Sequence, residues 1–215
     1  MSSEIGTNPK KEELVAYIHI SLDLETTGNK PGCGILALGA YVFATEFIAS
    51  GKLYEYGASY YSRVLPSNNI RYGLMPLAET MDWWEKQKPA VQAEAFSGTM
   101  GMKAVLTEFS GFCGRLLPQE DGGAEIVVWG NDQLFDVGIL QAAYVATGLP
   151  IPWKYWNGRC YRTLKASFGE IARIKPEIAH HALYDAVAQG NSILAILHRV
   201  RELKDFYNEV REVAP

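Results

Sequence analysis

Two carboxylates one residue apart end an apolar run near the start of this chain. In a β-strand the side chains at i and i+2 share a face, so Asp23 and Glu25 would stand side by side. Two such anions repel each other unless a cation lies between them, and oxygen ligands suit a hard divalent ion such as Mg²⁺ or Mn²⁺. An isolated Asp-x-Glu is also typical of a strand that ends in a polar turn, here residues 26–28, so the pair needs partners elsewhere.

A second group of acids follows a strongly β-forming run at residues 124–129. Because α/β sheets bind ligands at the carboxyl ends of their strands, a helix that begins directly after this run would start at such an edge. Asp132 lies near the helix start, and Asp136 lies one turn later on the same face. The alternative interpretation makes Asp132 or Asn131 a plain N-cap and Asp136 a solvated residue.

A histidine and an aspartate lie five positions apart where the last predicted helix begins. His180 on a loop and Asp185 in the helix that follows would bring a base and a metal ligand to one point. Single histidines are more often surface residues or hydrogen-bonded core residues. This pair therefore also depends on the other two segments.

The elements that must position these residues are predicted from hydrophobic spacing. Three successive strands with short turns indicate an antiparallel meander, and the later alternation of helix and strand adds parallel strands. The expected fold is α/β, a mixed sheet flanked by helices. The predicted strands are residues 15–24, 35–43, 53–64 and 124–129, and the predicted helices are residues 81–87 with Thr80 as cap, 103–117, 134–145 and 181–213, with a mixed segment at 159–168 and a helix break near Gly190 left open.

Taken together, the three segments resemble the DnaQ-like, DEDDh group of 3′-5′ exonucleases. The pattern of that group is Asp-x-Glu on the first strand, Asn-x-x-x-(Phe/Tyr)-Asp after a later strand, and His-x-x-x-x-Asp near the C-terminus. The resemblance spans roughly residues 16–200 and implies the RNase H-like fold. The matching residues, in the same order, are Asp23, Glu25, Asn131, Phe135, Asp136, His180 and Asp185.

Two aromatic segments resemble a subfamily of phage and mycobacterial exonucleases, the RNase T-like enzymes. These segments are residues 82–87 and 153–159. The subfamily often has Arg-Asp-x-Arg-Thr where this chain has residues 159–163, with Cys160 in place of the aspartate. The role of that position is therefore left open.

The resemblance implies a two-metal hydrolysis of phosphodiester bonds. Two Mg²⁺ or Mn²⁺ ions about 4 Å apart would generate hydroxide and stabilise the leaving 3′ oxygen. Asp23, Glu25, Asp136 and Asp185 would hold both ions, whose charges offset those of the four acids. His180 would act as general base, because it alone has the five-residue offset to Asp185, and His181 is expected to be a solvent-side neighbour.

A 3′ end must also be held in place. In the family the backbone after the first Asp-x-Glu meets the terminal 3′ hydroxyl, and an apolar residue wedges against the last base. Two adjacent tryptophans offer a stacking surface, although at most one of them can face the substrate if they lie on a helix. The predicted substrate contacts are Leu24, Thr26, Trp83, Trp84, Asn131 and Phe135.

Composition limits the class of protein. At 215 residues and a net charge of −4, the chain has an ordinary globular composition and no general basic surface. Residues 1–13 are expected to be a flexible N-terminal leader and residues 14–215 a single exonuclease domain. The three cysteines lack zinc-type spacing, and the sequence shows neither a signal peptide nor a membrane span, so a cytoplasmic location is expected.

The expected partner is single-stranded RNA or DNA with a free 3′ end, with no preference readable from the sequence. A homodimer is left open, since related enzymes are often dimers. One alternative function is a catalytically silent nucleic-acid-binding domain on the same fold. Another is a metal-dependent phosphatase or nuclease of unrelated fold.

Overall fold

The computed structural model describes residues 16–47, 52–117, 123–168, 170–171 and 173–213. The expected leader at residues 1–13 lies outside the described residues. None of the described helices combines the length and apolar character that crossing a membrane requires.

One mixed six-stranded sheet organises the described residues. Its strands are β1 Ala16–Thr26, β2 Ile35–Phe47, β3 Lys52–Glu55, β4 Ser59–Arg63, β5 Glu125–Gly130 and β6 Gly158–Cys160. They lie in the order β3-β2-β1-β5-β6, with β4 also paired to β2. Strands β2, β3 and β4 run antiparallel to their neighbours, whereas β1, β5 and β6 are parallel to one another. This arrangement confirms the predicted meander followed by parallel strands.

The third predicted strand, residues 53–64, is wrong as a single element. It is divided into β3 and β4, which pair with different parts of β2. Between them the Val42 N–H donates to the Ala58 carbonyl and the Tyr56 N–H donates to the Phe43 carbonyl. The glycine at position 57 has the lowest strand propensity in this stretch, and the ladder is interrupted around it.

Six α-helices flank the sheet in the part of the chain that the structure describes. Three 3₁₀ turns at Pro66–Asn68, Ile70–Tyr72 and Tyr155–Asn157 connect elements, and a π-helical turn at Gln133–Val137 precedes the fourth helix. The helices are α1 Ala78–Glu85, α2 Pro89–Phe96, α3 Met102–Leu116, α4 Gly138–Thr147, α5 Tyr161–Phe168 and α6 Ala182–Val213.

Two helix starts differ from the sequence prediction. The first helix begins three residues earlier than expected, with Leu77 at the N-cap position, so Thr80 is not a cap. Pro89 was expected only to interrupt this helix, but it opens α2, because a proline fits the first helical position where no N–H is needed. Gly190 does not break α6, which runs continuously through it.

The alternation of β1 decides which side chains meet which helices. One set of its residues is buried in a large apolar core with α3 and α4, and the other set faces α6. The core set is Ile18, Ile20, Leu22 and Leu24, and the α6 set is His19, Ser21, Asp23 and Glu25. The two acids therefore lie on the face of the sheet that α6 covers.

Candidate active site

Asp23 and Glu25 stand at the carboxyl end of β1, as the strand geometry predicted. Asp23 is half-buried, and Glu25 is 8% exposed. Together with Asp185 they form a group whose carboxylate oxygens, one from each residue, all lie within 4.8 Å of one another. The first and last segments of the sequence pattern thus meet at one point.

Asp136 reaches the site through the π-helical turn that follows β5. Its side chain is 1% exposed, and its Oδ2 accepts a 3.1 Å hydrogen bond from the Asp132 N–H. A Cβ at Gly130 would lie 2.8 Å from the Asp136 Cβ, so only glycine lets the carboxylate approach the end of the strand this closely. Asp136 lies outside the group of three acids, although its charge helps raise the pKa of Asp23 and Glu25.

Asp132 is the N-cap of this turn. Its Oδ1 accepts a hydrogen bond from the Leu134 N–H at 2.9 Å, and its Oδ2 pairs with Arg162 at 3.1 Å. The plain N-cap interpretation is therefore correct for Asp132. The accompanying interpretation of Asp136 as a solvated residue is wrong, because its side chain is buried.

Asp185 is brought to the sheet by a close contact between helix α6 and strand β2. A Cβ at Gly39 would lie 2.2 Å from the backbone of Ala182, and one at Gly190 would lie 2.8 Å from the Tyr41 ring. Both glycines therefore allow α6 to lie almost directly on β2. The Asp185 Oδ2 accepts a 3.1 Å hydrogen bond from the backbone N–H of residue 181, which orients the carboxylate.

The two adjacent histidines have different surroundings. His180 adopts a left-handed backbone conformation with φ of 60°, is exposed, lines the cleft and lies 5.4 Å from the Trp83 ring. His181 stacks on Tyr61 at 4.5 Å, with its Nε2 3.6 Å from a Glu94 oxygen. The expectation that His181 faces solvent is wrong, because this packing leaves it half-buried and directs it away from the cleft.

The pKa values of all four acids are raised above their ordinary values. Burial, followed by the charges of Asp136, Glu25 and Asp185, raises the pKa of Asp23 well above its ordinary value. Burial and the neighbouring charges raise the pKa of Glu25 to about 8. Burial also raises the pKa of Asp136 to about 7 and that of Asp185, although backbone N–H groups partly oppose the increase. Four carboxyls in this state need positive charge nearby to be ionised together.

The donor set fits a hard divalent cation. Asp23, Glu25 and Asp185 can each offer one oxygen to a common ion, and the buried Asp136 lies close enough for its charge to act on Asp23 and Glu25. Only carboxylate oxygens are present in this group, which is the ligand chemistry that Mg²⁺ and Mn²⁺ prefer.

A cleft of about 610 Å³ opens over the acids. Trp83, 39% exposed, presents its ring there, whereas Trp84 is 2% exposed and its Nε1 donates to the Thr26 carbonyl at 2.8 Å. The geometry thus agrees with the expectation that the two rings cannot both face a substrate. All six residues proposed to contact substrate border the cleft: Leu24, Thr26, Trp83, Trp84, Asn131 and Phe135.

Sequence reasoning missed several residues of the cleft. Gln189 donates from Nε2 to the Asp23 Oδ1 at 2.7 Å, and its position one helical turn after Asp185 was the available signal. Lys165 and Arg173 place two cations at the same cleft, and Glu79 adds an acid at the tryptophan side. No spacing rule in the sequence marks these three residues.

Cys160 occupies the end of β6, at the position where an aspartate was expected from the subfamily. Its Sγ lies 3.7 Å from the Asn131 carbonyl oxygen. Burial raises the pKa of the thiol, but hydrogen bonds from Thr163 and Gln133 outweigh it and lower the pKa below its ordinary value. The thiol is thus held beside the turn that carries Asp136.

Comparison with known proteins agrees with this geometry. The family model of the Rv2179c-like 3′-5′ exoribonuclease domain matches residues 18–197, and the chain belongs to this family. It is a 3′-5′ exonuclease of the DnaQ-like, DEDDh type. No curated protein matches the sequence.

A solved structure supports the fold. The nuclease domain of 3′hExo, a DEDDh family member bound to rAMP, matches with a TM-score of 0.51 at 10% identity, covering 90% of this chain and 95% of that one. At such low identity the likeness establishes the fold alone, which is RNase H-like, as the sequence resemblance implied.

Proposed function

We propose that this enzyme removes nucleoside 5′-monophosphates from the 3′ end of single-stranded RNA in a reaction that depends on divalent metal ions. The observation that carries the proposal is the meeting of the Asp23, Glu25 and Asp185 carboxylates and the exposed His180 in a single cleft, with Asp136 buried close enough for its charge to raise the pKa of Asp23 and Glu25. Single-stranded DNA is the alternative substrate, and the exoribonuclease description of the family favours RNA.

Asp23, Glu25, Asp136 and Asp185 are the residues that would hold two ions, Mg²⁺ or Mn²⁺. Bound there, the ions would activate water and offset the charge that develops on the leaving 3′ oxygen. The raised pKa values of these acids support this assignment, since two divalent charges offset four carboxylates.

His180 is the proposed general base. Its exposed imidazole lines the cleft and can accept the proton of the attacking water. The neighbouring His181 is a poor candidate, because it packs against Tyr61 and Glu94 and does not line the cleft. Imidazole is suited to this task because its ordinary pKa lies near neutrality.

The 3′-terminal nucleotide would lie between the end of β1 and α1. Leu24 supplies an apolar contact and the exposed Trp83 ring supplies a stacking surface. The Thr26 hydroxyl already donates to the Gly28 carbonyl at 2.6 Å, so this residue would meet the 3′ hydroxyl through its backbone. Trp84 would contribute to substrate binding indirectly, because its Nε1 donates a hydrogen bond to the Thr26 carbonyl and so fixes the backbone of that residue.

Asn131 and Phe135 border the cleft on the β5 side and are proposed to contact the substrate there. Lys165 and Arg173 line the same cleft, so their charges can attract the phosphates that precede the scissile bond. The expected homodimer and cytoplasmic location stay predictions. Light scattering during size-exclusion chromatography would measure the oligomeric state.

The test is digestion of 5′-labelled single-stranded RNA and DNA of the same sequence, side by side, with Mg²⁺, Mn²⁺ or EDTA. We expect stepwise shortening from the 3′ end, release of 5′-monophosphates, and faster cleavage of RNA. Activity that survives exhaustive chelation, or products that carry a 3′ phosphate, would contradict the proposal. Binding of the strands without cleavage under every metal condition would instead support a catalytically silent domain.

A further inference from the structure

The carboxylates of the site differ in what holds them in place. Asp136 lies in the π-helical turn after β5 and Asp185 in the first turn of α6, and each accepts a hydrogen bond from a backbone N–H at 3.1 Å. Asp23 lies inside the sheet, paired with Gly39 of β2. Its carboxylate accepts a hydrogen bond from a side-chain donor instead.

Gln189 supplies that donor. It lies on α6, four residues after Asp185 and on the same helix face, and its Nε2 is 2.7 Å from the Asp23 Oδ1. The NH₂ group of the amide is the donor. Once Asp23 is ionised, as it would be beside a bound cation, its carboxylate can only accept hydrogen bonds, which suits this orientation of the amide. The second carboxylate oxygen of Asp23, Oδ2, does not take part in this hydrogen bond and can bind a cation together with Glu25 and Asp185.

The second amide atom of Gln189 argues against a purely structural role. Its Oε1 is buried and has no hydrogen-bond partner among the described residues. An apolar side chain of the same length would fill the space without burying an unpaired acceptor, which is unfavourable. The glutamine is thus explained by what its NH₂ group does for Asp23 and by its position in the cleft wall.

We propose that Gln189 is a positioning residue that fixes the Asp23 carboxylate and thereby sets the affinity of the acidic group for divalent cations. This inference rests on the proposed metal-dependent function. Hydrogen bonds to metal-ligating carboxylates orient the ligand, and removing such partners commonly weakens metal affinity about 10- to 100-fold. The donor to Asp23 is the side chain of Gln189, so a substitution can remove it. The donors to Asp136 and Asp185 are backbone N–H groups, which a substitution leaves in place.

The experiment compares Gln189→Met with the wild type by titration calorimetry with Mn²⁺ alone, in the absence of nucleic acid. Methionine is unbranched and of similar length, so it keeps the packing and removes the donor. Gln141→Met, at a half-buried position on α4 away from the cleft, is the matched control. We expect the Mn²⁺ dissociation constant of Gln189→Met to rise about 10- to 100-fold, while Gln141→Met binds as the wild type does.

A second measurement separates positioning from general damage. The melting temperature of Gln189→Met in EDTA should stay within a few degrees of wild type, and saturating Mn²⁺ should restore its turnover. In an Asp23→Asn background Gln189→Met should weaken Mn²⁺ binding no further, because its target charge is gone. An equal loss of affinity in both backgrounds overturns the proposal.

Unchanged Mn²⁺ affinity in Gln189→Met overturns the role of Gln189 alone. A wild-type chain that binds no Mn²⁺ refutes the metal-dependent function itself, so the two failures are distinguishable. If Gln189→Met does not fold, Gln189→Ala, which leaves a good helix former on α6, takes its place under the same criteria.

Discussion

The metal-free fold should lose stability as the pH rises, and Glu25→Gln tests the cause. Glu25 is 8% exposed, and burial with the charges of Asp185 and Asp136 raises its pKa from 4.5 to about 8. Between these two values the unfolded chain releases a proton that the folded chain retains. The folded state then binds more protons than the unfolded state, so the free energy of unfolding falls as the pH increases through this window.

The magnitude follows from the same two values. A tenfold difference in an acid dissociation constant is worth about 1.4 kcal/mol. From about pH 5.5 to pH 8, ionisation of Glu25 therefore lowers the free energy of unfolding by on the order of 3 kcal/mol. For a chain of this size that corresponds to a decrease of about 6–12 °C in melting temperature. Glu25→Gln removes this contribution and also relieves Asp23, whose pKa the Glu25 charge helps to raise.

The assay is thermal unfolding in EDTA across this pH range, followed by circular dichroism. Wild type should melt at progressively lower temperature, and Glu25→Gln should lose at least half of that slope. Glu108→Gln, an exposed acid on α3, should keep the wild-type slope. Adding Mn²⁺ at pH 8 should raise the melting temperature of wild type more than that of Glu25→Gln. A wild-type melting temperature that stays level or rises from pH 5.5 to 8 in EDTA would refute the reasoning.

Five further substitutions test the site and the packing of α6 that completes it. Asp136→Asn should lower turnover by on the order of 10²-fold with single-stranded RNA in Mg²⁺, and near-normal turnover would mean that this acid is not a ligand. His180→Ala should lower the rate about 10²- to 10⁴-fold and remove the rise of rate with pH, whereas His181→Ala should change the rate less than about tenfold; the reverse result in pH-rate profiles would place the base at the other histidine. Trp83→Ala should raise the KM for an oligonucleotide about fivefold or more through lost stacking, and an unchanged KM would exclude that contact. Gly39→Ala should reduce the free energy of unfolding by about 2 kcal/mol or more in urea, because the new methyl would lie 2.2 Å from the Ala182 backbone; wild-type stability would show that α6 can move aside.

The sequence was sufficient where local geometry determines the outcome. Alternation along β1 placed Asp23 and Glu25 on one face, and the run after residue 124 correctly indicated a strand followed by a helix. The motif spacing distinguished His180 from His181, and the structure places only His180 at the cleft. In each case a short-range period was enough.

The remainder depended on contacts between distant segments. Whether residues 53–64 form one strand or two is decided by where β2 offers pairing partners, which the segment itself does not encode. The π-helical turn that buries Asp136 depends on its fit against Gly130. Gln189 was missed because its significance comes from a hydrogen bond to a residue 166 positions away.

The close contact between α6 and β2 has a consequence for how this enzyme becomes active. Asp23 is carried by the first described strand and Asp185 by the last helix, so the two halves of the site meet only when that helix docks over the glycines of β2 and α6. A partly folded chain with α6 detached lacks both Asp185 and the Gln189 donor. Ions bound between the two elements would in turn favour the docked state by mass action. Mn²⁺ binding should therefore report the final step of folding, because a bound ion would connect β1 to α6 through Asp23 and Asp185.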